Sequence, residues 1–252
     1  ARVSVSRQRL DVLLTERGLT ASRERARALI MAGSVQVDGR VVDKPGTPVA
    51  TGSAIALLAP DLPFASRGGL KLEGALCAFG LSVAGLVCLD VGASTGGFTD
   101  CLLQHGAARV TAVDVGYGQM AWRLRRDPRV VVIERTNIRY MPAERLPEAV
   151  DLITIDTSFI SLRVVVPAVL KFLRPAGCIL PLVKPQFEVG KGEVGKGGVV
   201  SDPAQHARVL EDLKRFFEGL DLECSAAVPS PIEGPKGNRE FFFLLRRRSP
   251  TE

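Results

Sequence analysis

Beyond residue 87 the chain repeats one pattern, a short apolar run followed by a longer stretch in which apolar residues return every three or four positions. The short runs predict strands at residues 87–91, 109–113, 130–134, 151–155, 179–183, 222–228 and 240–245. The longer stretches predict helices, clearest at 98–105, 119–125, 162–172 and 201–219, with one more at 70–79 ahead of the first strand. Runs that are apolar throughout, such as "VDLITID", suit a parallel sheet covered on both faces, so the expected class is a doubly wound, Rossmann-like α/β domain. The glycine-rich "VGKGEVGKGG", residues 189–198, reads as a mobile loop after the fifth strand.

The front of the chain follows another rhythm. Leu10, Val12, Leu13 and Leu14 fall in a short helix closed by Gly18. Ser22 is placed to cap a second helix whose Ala26, Leu29 and Ile30 make an apolar stripe and which Gly33 ends. Alternation from Val35 to Val41 around Asp38-Gly39 predicts a hairpin. Pro60, Pro63 and a Gly pair mark the join, giving a small domain at 1–59, a linker at 60–66 and a larger domain at 67–252.

Charge separates the two parts further. Residues 1–60 hold nine Lys/Arg against five Asp/Glu, a balance of +4, so the rest of the chain shares only +2 of the total +6. A basic small domain points to a polyanionic partner, most simply nucleic acid. At 252 residues and 46% hydrophobic the chain has material for one or two cores, and its apolar runs break well short of the roughly 20 residues of a membrane span. The first residues lack a signal-peptide pattern, and a cytoplasmic protein without membrane association is expected. Cys77, Cys88, Cys101, Cys178 and Cys224 show no C-x-x-C spacing and stand apart from His105 and His206, which suggests neither a metal site nor a disulfide framework.

The stretch "RLDVLLTERGLTASRERARALIMAGSVQVDGRVVDKPGTPV" resembles an S4 domain, the RNA-binding module of ribosomal protein S4, several pseudouridine synthases and tyrosyl-tRNA synthetases. The resemblance implies an α+β module whose second helix faces the RNA backbone, with phosphate contacts from Arg9, Arg23, Arg25 and Arg27.

In doubly wound sheets the ligand lies beyond the carboxyl ends of the strands, and the first strand-to-helix turn here is "LDVGASTGGFTD". The dinucleotide pattern G-x-G-x-x-G is imperfectly met because Ser94 stands where Gly is wanted, whereas D-x-G-x-S-x-G fits. Asp90 suits the ammonium of a methionine moiety. Gly92, Ser94, Gly96, Gly97 and Phe98 form the turn against the ligand, Asp114 after the second strand suits ribose hydroxyls, and Asn137 in "RTNIR" suits an adenine edge. Together they favour S-adenosylmethionine over NAD.

Asp156 ends the fourth strand, Lys184 ends the fifth, and Glu240 opens the last, so all three reach one rim, with Lys71 on the helix ahead of the sheet. Lys71, Asp156, Lys184 and Glu240 match the tetrad of FtsJ-type RNA 2′-O-ribose methyltransferases. The order of motifs "SRGG.KL", "D.GASTGGFT", "DVGYGQ", "ERTN", "D.SFISL", "LVKPQFE", "GGVV.D" and "GN.EFF" is similar to the TlyA family, once described as hemolysins. That resemblance implies a class I methyltransferase sheet with an antiparallel last strand and S-adenosylmethionine as cofactor. It further implies 2′-O-methylation of a cytidine in ribosomal RNA, with RNA or a ribosomal subunit as partner. Asp156 then orients Lys184 and neighbours the methionine end of the cofactor, while Glu240 and Lys71 position the ribose. The chain stops soon after Arg248, before the longer extension of members that also modify the small subunit, and large-subunit (23S) RNA is expected over 16S. A lysine ordinarily titrates near pH 10.4, so Lys184 acts either as an ammonium or, if its neighbours depress it, as a neutral base. Competing classes are a pseudouridine synthase, a non-catalytic RNA-binding assembly factor and a pore-forming hemolysin. The first would lack a glycine-turn sheet, the second would have no use for the tetrad, and the third would need a membrane-active segment.

Overall fold

Left-handed glycines and one serine cap set the helices of the N-terminal unit. In the computed structural model, which describes residues 6–20, 22–58, 63–190, 192–195 and 197–248, two units divide at Arg67/Gly68. In the first, helix α1 (Leu10–Glu16) ends before Gly18 at φ 69°, and helix α2 (Arg23–Met31) ends before Gly33 at φ 71°. The Ser22 side chain accepts from the Arg25 N–H at 3.1 Å. Strand β1 (Arg7–Arg9) pairs antiparallel with β4 (Pro48–Ala50), while β2 (Val35–Val37) pairs with β3 (Arg40–Val41) and β5 (Ile55–Leu57). The hairpin turns on Asp38 and Gly39, both at positive φ (49° and 78°), as its two-residue turn demands. Leu10, Leu13, Leu14, Ala26, Ile30 and Val35 form the core of this unit. Residues 60–62 of the predicted linker lie outside the described residues.

The C-terminal unit opens with α3 (Gly68–Phe79). The chain then runs through β6 (Val87–Val91), α4 (Gly97–Gln104), β7 (Arg109–Val113), α5 (Trp122–Arg125), β8 (Val130–Ile133), β9 (Val150–Ile155), α6 (Leu162–Val169), β10 (Leu173–Val183) and α7 (Pro203–Glu218). Four short strands close it: β11 (Leu222–Cys224), β12 (Val228–Pro229), β13 (Phe241–Phe242) and β14 (Leu245–Arg247). The main path of the sheet reads β11-β14-β10-β9-β6-β7-β8. From β10 to β8 every pairing is parallel, whereas β13 and β14 run antiparallel to β10. The mostly parallel sheet with an antiparallel final segment is thus the expected class. Strand order reverses between β6 and β9, which opens a crevice at their carboxyl ends.

Several element bounds differ from the sequence reading. The predicted strand 222–228 is two short strands, and 240–245 is β13 and β14 with Phe243 and Leu244 between them, so Glu240 lies one residue ahead of β13. Strand β10 starts six residues earlier than expected; Pro175 and Gly177 mask it, and its register against β9 shifts between Leu173 and Cys178. The helix predicted at 119–125 shortens to α5. The glycine-rich loop, apart from Lys191 and Lys196, which lie outside the described residues, is tied down. The Asn238 side chain donates to Gly198 O at 3.1 Å and accepts from Val200 N–H at 3.1 Å, and Lys236 Nζ donates to Gly197 O at 2.7 Å.

Candidate active site

The turn after β6 is shaped by close backbone approach. Gly92 has φ 83°, and a Cβ there would fall 2.3 Å from the Asp156 carbonyl oxygen; one at Gly96 (φ 95°) would fall 2.3 Å from Leu124 Cδ1. A side chain is therefore excluded at Gly92 by backbone, while at Gly96 the positive φ disfavours one and Leu124 would have to move. Ser94 also adopts positive φ, 48°, and its N–H donates to Asp114 Oδ2 at 2.8 Å, while the Gly116 N–H donates to Oδ1 at 2.6 Å. Asp114 thereby fastens the ends of β6 and β7 together, and each of its oxygens keeps a second lone pair for an incoming donor. Gly97 is buried as the first residue of α4. Asn137 is exposed and caps a short 3₁₀ turn by accepting from the Arg139 N–H at 3.1 Å.

Two residues expected at the ligand turn to the core. Asp90 is fully buried and accepts from the Thr99 hydroxyl at 2.7 Å, the Thr99 N–H and the Thr154 hydroxyl at 3.1 Å. Its carboxyl staples β6, α4 and β9 and presents no oxygen to the crevice. Burial is the main force on it and lifts its pKa to about 7, against the pull of those hydroxyls. Phe98 is buried with its ring centroid 6.1 Å from that of Phe242, so its side chain belongs to the packing between α4 and β13.

The structure gathers Lys71, Asp156, Lys184 and Glu240 at the same edge of the sheet. Asp156 follows β9 and its N–H donates to Val91 O at 2.9 Å, beside Gly92. Lys184 follows β10, and Val183 pairs with Phe241, so Glu240, one residue ahead of β13, lies across from it. Lys184 Nζ lies 2.6 Å from Asp156 Oδ1 and 3.0 Å from Ser158 Oγ. Lys71 Nζ on α3 lies 2.5 Å from Glu240 Oε2. Both lysines and Glu240 are buried. Burial raises the pKa of Glu240; the charges of Lys71 and Lys184 oppose this and that of Asp156 adds to it, which makes one electrostatic group of the four. Among the described residues Glu240 Oε1 is buried with no hydrogen-bond partner, and a Cβ on Gly234 would fall 2.0 Å from it, so glycine alone leaves room beside that acceptor.

Other residues complete the site that pattern reading passed over. Ser158 is the second partner of Lys184. Phe159 is 91% exposed in a left-handed conformation (φ 63°), with its ring 4.9 Å from that of Phe187. Glu188 accepts from the Ser161 hydroxyl at 2.6 Å and the Leu162 N–H at 2.8 Å, tying the segment after Lys184 to the one after Asp156. Ser158, Phe159 and Glu188 all lie inside "D.SFISL" or "LVKPQFE", the sequence signal that marks them.

In the N-terminal unit Arg9, Arg23, Arg25 and Arg27 are exposed. Arg9 and Arg23 both pair with Asp11 at 3.0 Å, a carboxylate the pattern reading had not singled out.

Comparison with known proteins agrees with this geometry. The profile of FtsJ-like methyltransferases matches residues 64–247, and that of the S4 domain matches residues 8–55. The 16S/23S rRNA (cytidine-2′-O)-methyltransferase TlyA of Mycobacterium tuberculosis is 50% identical over 96% of this chain and 91% of its own length. The chain belongs to the TlyA family. The 23S rRNA (cytidine-2′-O)-methyltransferase TlyA of Campylobacter jejuni is 35% identical over 71% of this chain and 70% of its own. A solved structure from Streptococcus thermophilus, presented as a candidate hemolysin, is 42% identical, with a TM-score of 0.76 over 98% of this chain and 91% of that one. TlyA-family membership thus carries both a methyltransferase and a hemolysin label; among the described residues no helix is long and apolar enough to cross a membrane.

Proposed function

We propose that this chain transfers a methyl group from S-adenosylmethionine to the ribose 2′-oxygen of a cytidine in ribosomal RNA, with large-subunit RNA as the favoured substrate. The observation that carries the reading is the pair of lysine–carboxylate contacts, Lys184–Asp156 and Lys71–Glu240, at the crevice where β6 and β9 part. The relatives support the choice of RNA, since 23S rRNA is common to both printed names.

The residues at hand fit the cofactor. Gly92 lets the turn after β6 pass close to the Asp156 backbone, Asp114 retains acceptor capacity for ribose hydroxyls, and Asn137 is exposed with its side-chain oxygen accepting from the Arg139 N–H. When bound, S-adenosylmethionine supplies a methyl activated by its sulfonium. The chain must hold the 2′-hydroxyl in line and manage its proton. Glu240 Oε1, a buried acceptor without a donor, suits a ribose hydroxyl, which removes the penalty of leaving it unsatisfied. Lys71 holds the other oxygen of Glu240 and fixes that carboxylate in place. Lys184, gripped by Asp156 and Ser158, has the arrangement of an ammonium and stabilises negative charge as it develops on the 2′-oxygen. Phe159 offers an exposed ring face on which the neighbouring base can stack.

Single-turnover methylation of 23S rRNA with saturating cofactor tests this. Lys184→Ala should slow transfer by at least about 10²-fold while leaving cofactor and RNA affinity near wild type. Lys184→Arg keeps charge but cannot deprotonate near neutral pH, so substantial rescue supports charge stabilisation and a dead variant points to a base. Near-normal transfer by Lys184→Ala overturns the reading.

A further inference from the structure

We propose that Asp11 is a positioning residue that locks the guanidiniums of Arg9 and Arg23 into one fork for a single RNA phosphodiester. The inference rests on the reading that the N-terminal unit binds RNA. The Asp11 side chain is wholly buried, yet the two arginines it holds are 53% and 56% exposed. Arg9 grips it with two parallel contacts, Nε to Oδ1 and Nη2 to Oδ2, each 3.0 Å. Arg23, from the first turn of α2, adds Nε to Oδ2 at 3.0 Å, and the Val12 N–H donates to Oδ1 at 3.1 Å. Every lone-pair direction of the carboxylate is spent inward.

The cations are not spent. Among the described residues, Arg9 Nη1 and both Nη groups of Arg23 have no hydrogen-bond partner, while Asp11 holds Arg9 by Nε and Nη2 and Arg23 by Nε. The Arg9 guanidinium lies against Gly46, where a Cβ would fall 3.3 Å from Nη1. One carboxylate between two guanidiniums leaves a surplus positive charge at a fixed point. An exposed ion pair serving stability alone needs no second arginine, and single surface pairs contribute little. What the arrangement achieves is early loss of rotamer freedom: two long side chains are ordered on folding and need not be ordered again when a phosphate arrives. Arg25 and Arg27 have no such anchor among the described residues.

This makes a counterintuitive outcome the test. Asp11→Asn adds one positive charge, so net electrostatics alone would tighten RNA binding and steepen its salt dependence. The proposal expects affinity of the full chain for a 23S rRNA transcript to fall about tenfold, with no steeper salt slope. Arg9→Lys with Arg23→Lys keeps every charge but loses the planar fork, and should weaken binding nearly as much as Arg9→Ala with Arg23→Ala. Should Asp11→Asn fail to fold, the lysine pair decides alone. Wild-type or tighter binding by a folded Asp11→Asn, or wild-type binding by the lysine pair, overturns the proposal. If the double alanine variant also binds as wild type with an unchanged salt slope, the RNA reading of this face falls with it.

Discussion

Asp11 and Asp90 are both aspartates without exposed surface, and they titrate in opposite directions. The hydrogen bond from Arg9 chiefly holds Asp11 at about 2, with Arg23 assisting, whereas burial lifts Asp90 to about 7. The difference lies in depth as well as in the donors, since Asp11 is covered by two half-exposed arginines near the surface and Asp90 by the protein interior. Asp11 meets two guanidiniums, which favour the anion by charge as well as by hydrogen bonding; Asp90 meets hydroxyls and one amide, which do not offset desolvation. Glu240 falls between them, buried and raised, with a single lysine against its carboxylate. Low exposure therefore says little about a carboxylate until its partners are counted: Asp11 holds two arginines, Asp90 staples three elements, and among the described residues Glu240 keeps one oxygen unpartnered.

The largest way to break this comparison is by pH. Folded, Asp90 holds its proton up to about pH 7, while the unfolded chain releases it near 3.8. Between those values the folded state binds more protons, so stability falls as pH rises through the window, by on the order of 4 kcal/mol for the full shift. Asp11 works the other way: its contribution is present above about pH 4 and is lost as pH falls toward 2. Glu240 and Glu188, also raised by burial, add to the fall at rising pH. Denaturant unfolding of wild type and Asp90→Asn at pH 4.5 and 8 should show a much smaller pH effect in the variant. Equal pH effects in the two proteins would mean that Asp90 is ionised in the fold.

The direction in which the Asp90 carboxyl turns was not legible in the sequence. Its position at a strand end places it at the crevice edge, and alternation along a strand buried on both faces does not say which way the carboxyl turns. That is settled by Thr154, sixty-four residues away, and by Thr99 in the next helix. The packing of Phe98 was hidden for the same reason, since its ring partner Phe242 is distant in sequence. Features governed by local chemistry were legible: the Ser22 cap, the Gly18 and Gly33 stops, the Asp38-Gly39 turn and the strand runs. The meeting of Lys71, Asp156, Lys184 and Glu240 was legible through topology, because parallel strands and one antiparallel neighbour bring their ends to a common rim. Ser158, Gly234 and the anchoring Asp11 were not, because each matters through a contact that no spacing encodes.

A smaller effect separates the shape of the turn from the charge beneath it. Gly92→Ala would place a methyl 2.3 Å from the Asp156 carbonyl oxygen at φ 83°, a strain of about 1–3 kcal/mol from the dihedral alone. Calorimetric titration with S-adenosylmethionine should show binding weakened more than tenfold in Gly92→Ala, and close to wild type in Asp90→Asn. If Asp90→Asn loses binding as severely, the carboxyl contacts the ligand after all and its comparison with Asp11 collapses.

The smallest effect sharpens the Asp11 side. Arg27 lies one helical turn from Arg23 on the same face of α2 but lacks a carboxylate to hold it among the described residues, so it must be ordered by RNA at the moment of binding. Arg27→Ala should lower the slope of log K against log salt by about one phosphate contact, roughly 0.7–0.9, and weaken binding less than Arg23→Ala does. Cofactor affinity should stay unchanged in both. The measurement is a salt series of RNA titrations on the full chain. A larger loss from Arg27→Ala than from Arg23→Ala would show that a mobile guanidinium contributes more than an anchored one. Asp11 would then be holding the N-terminal unit together and not preparing it for phosphate.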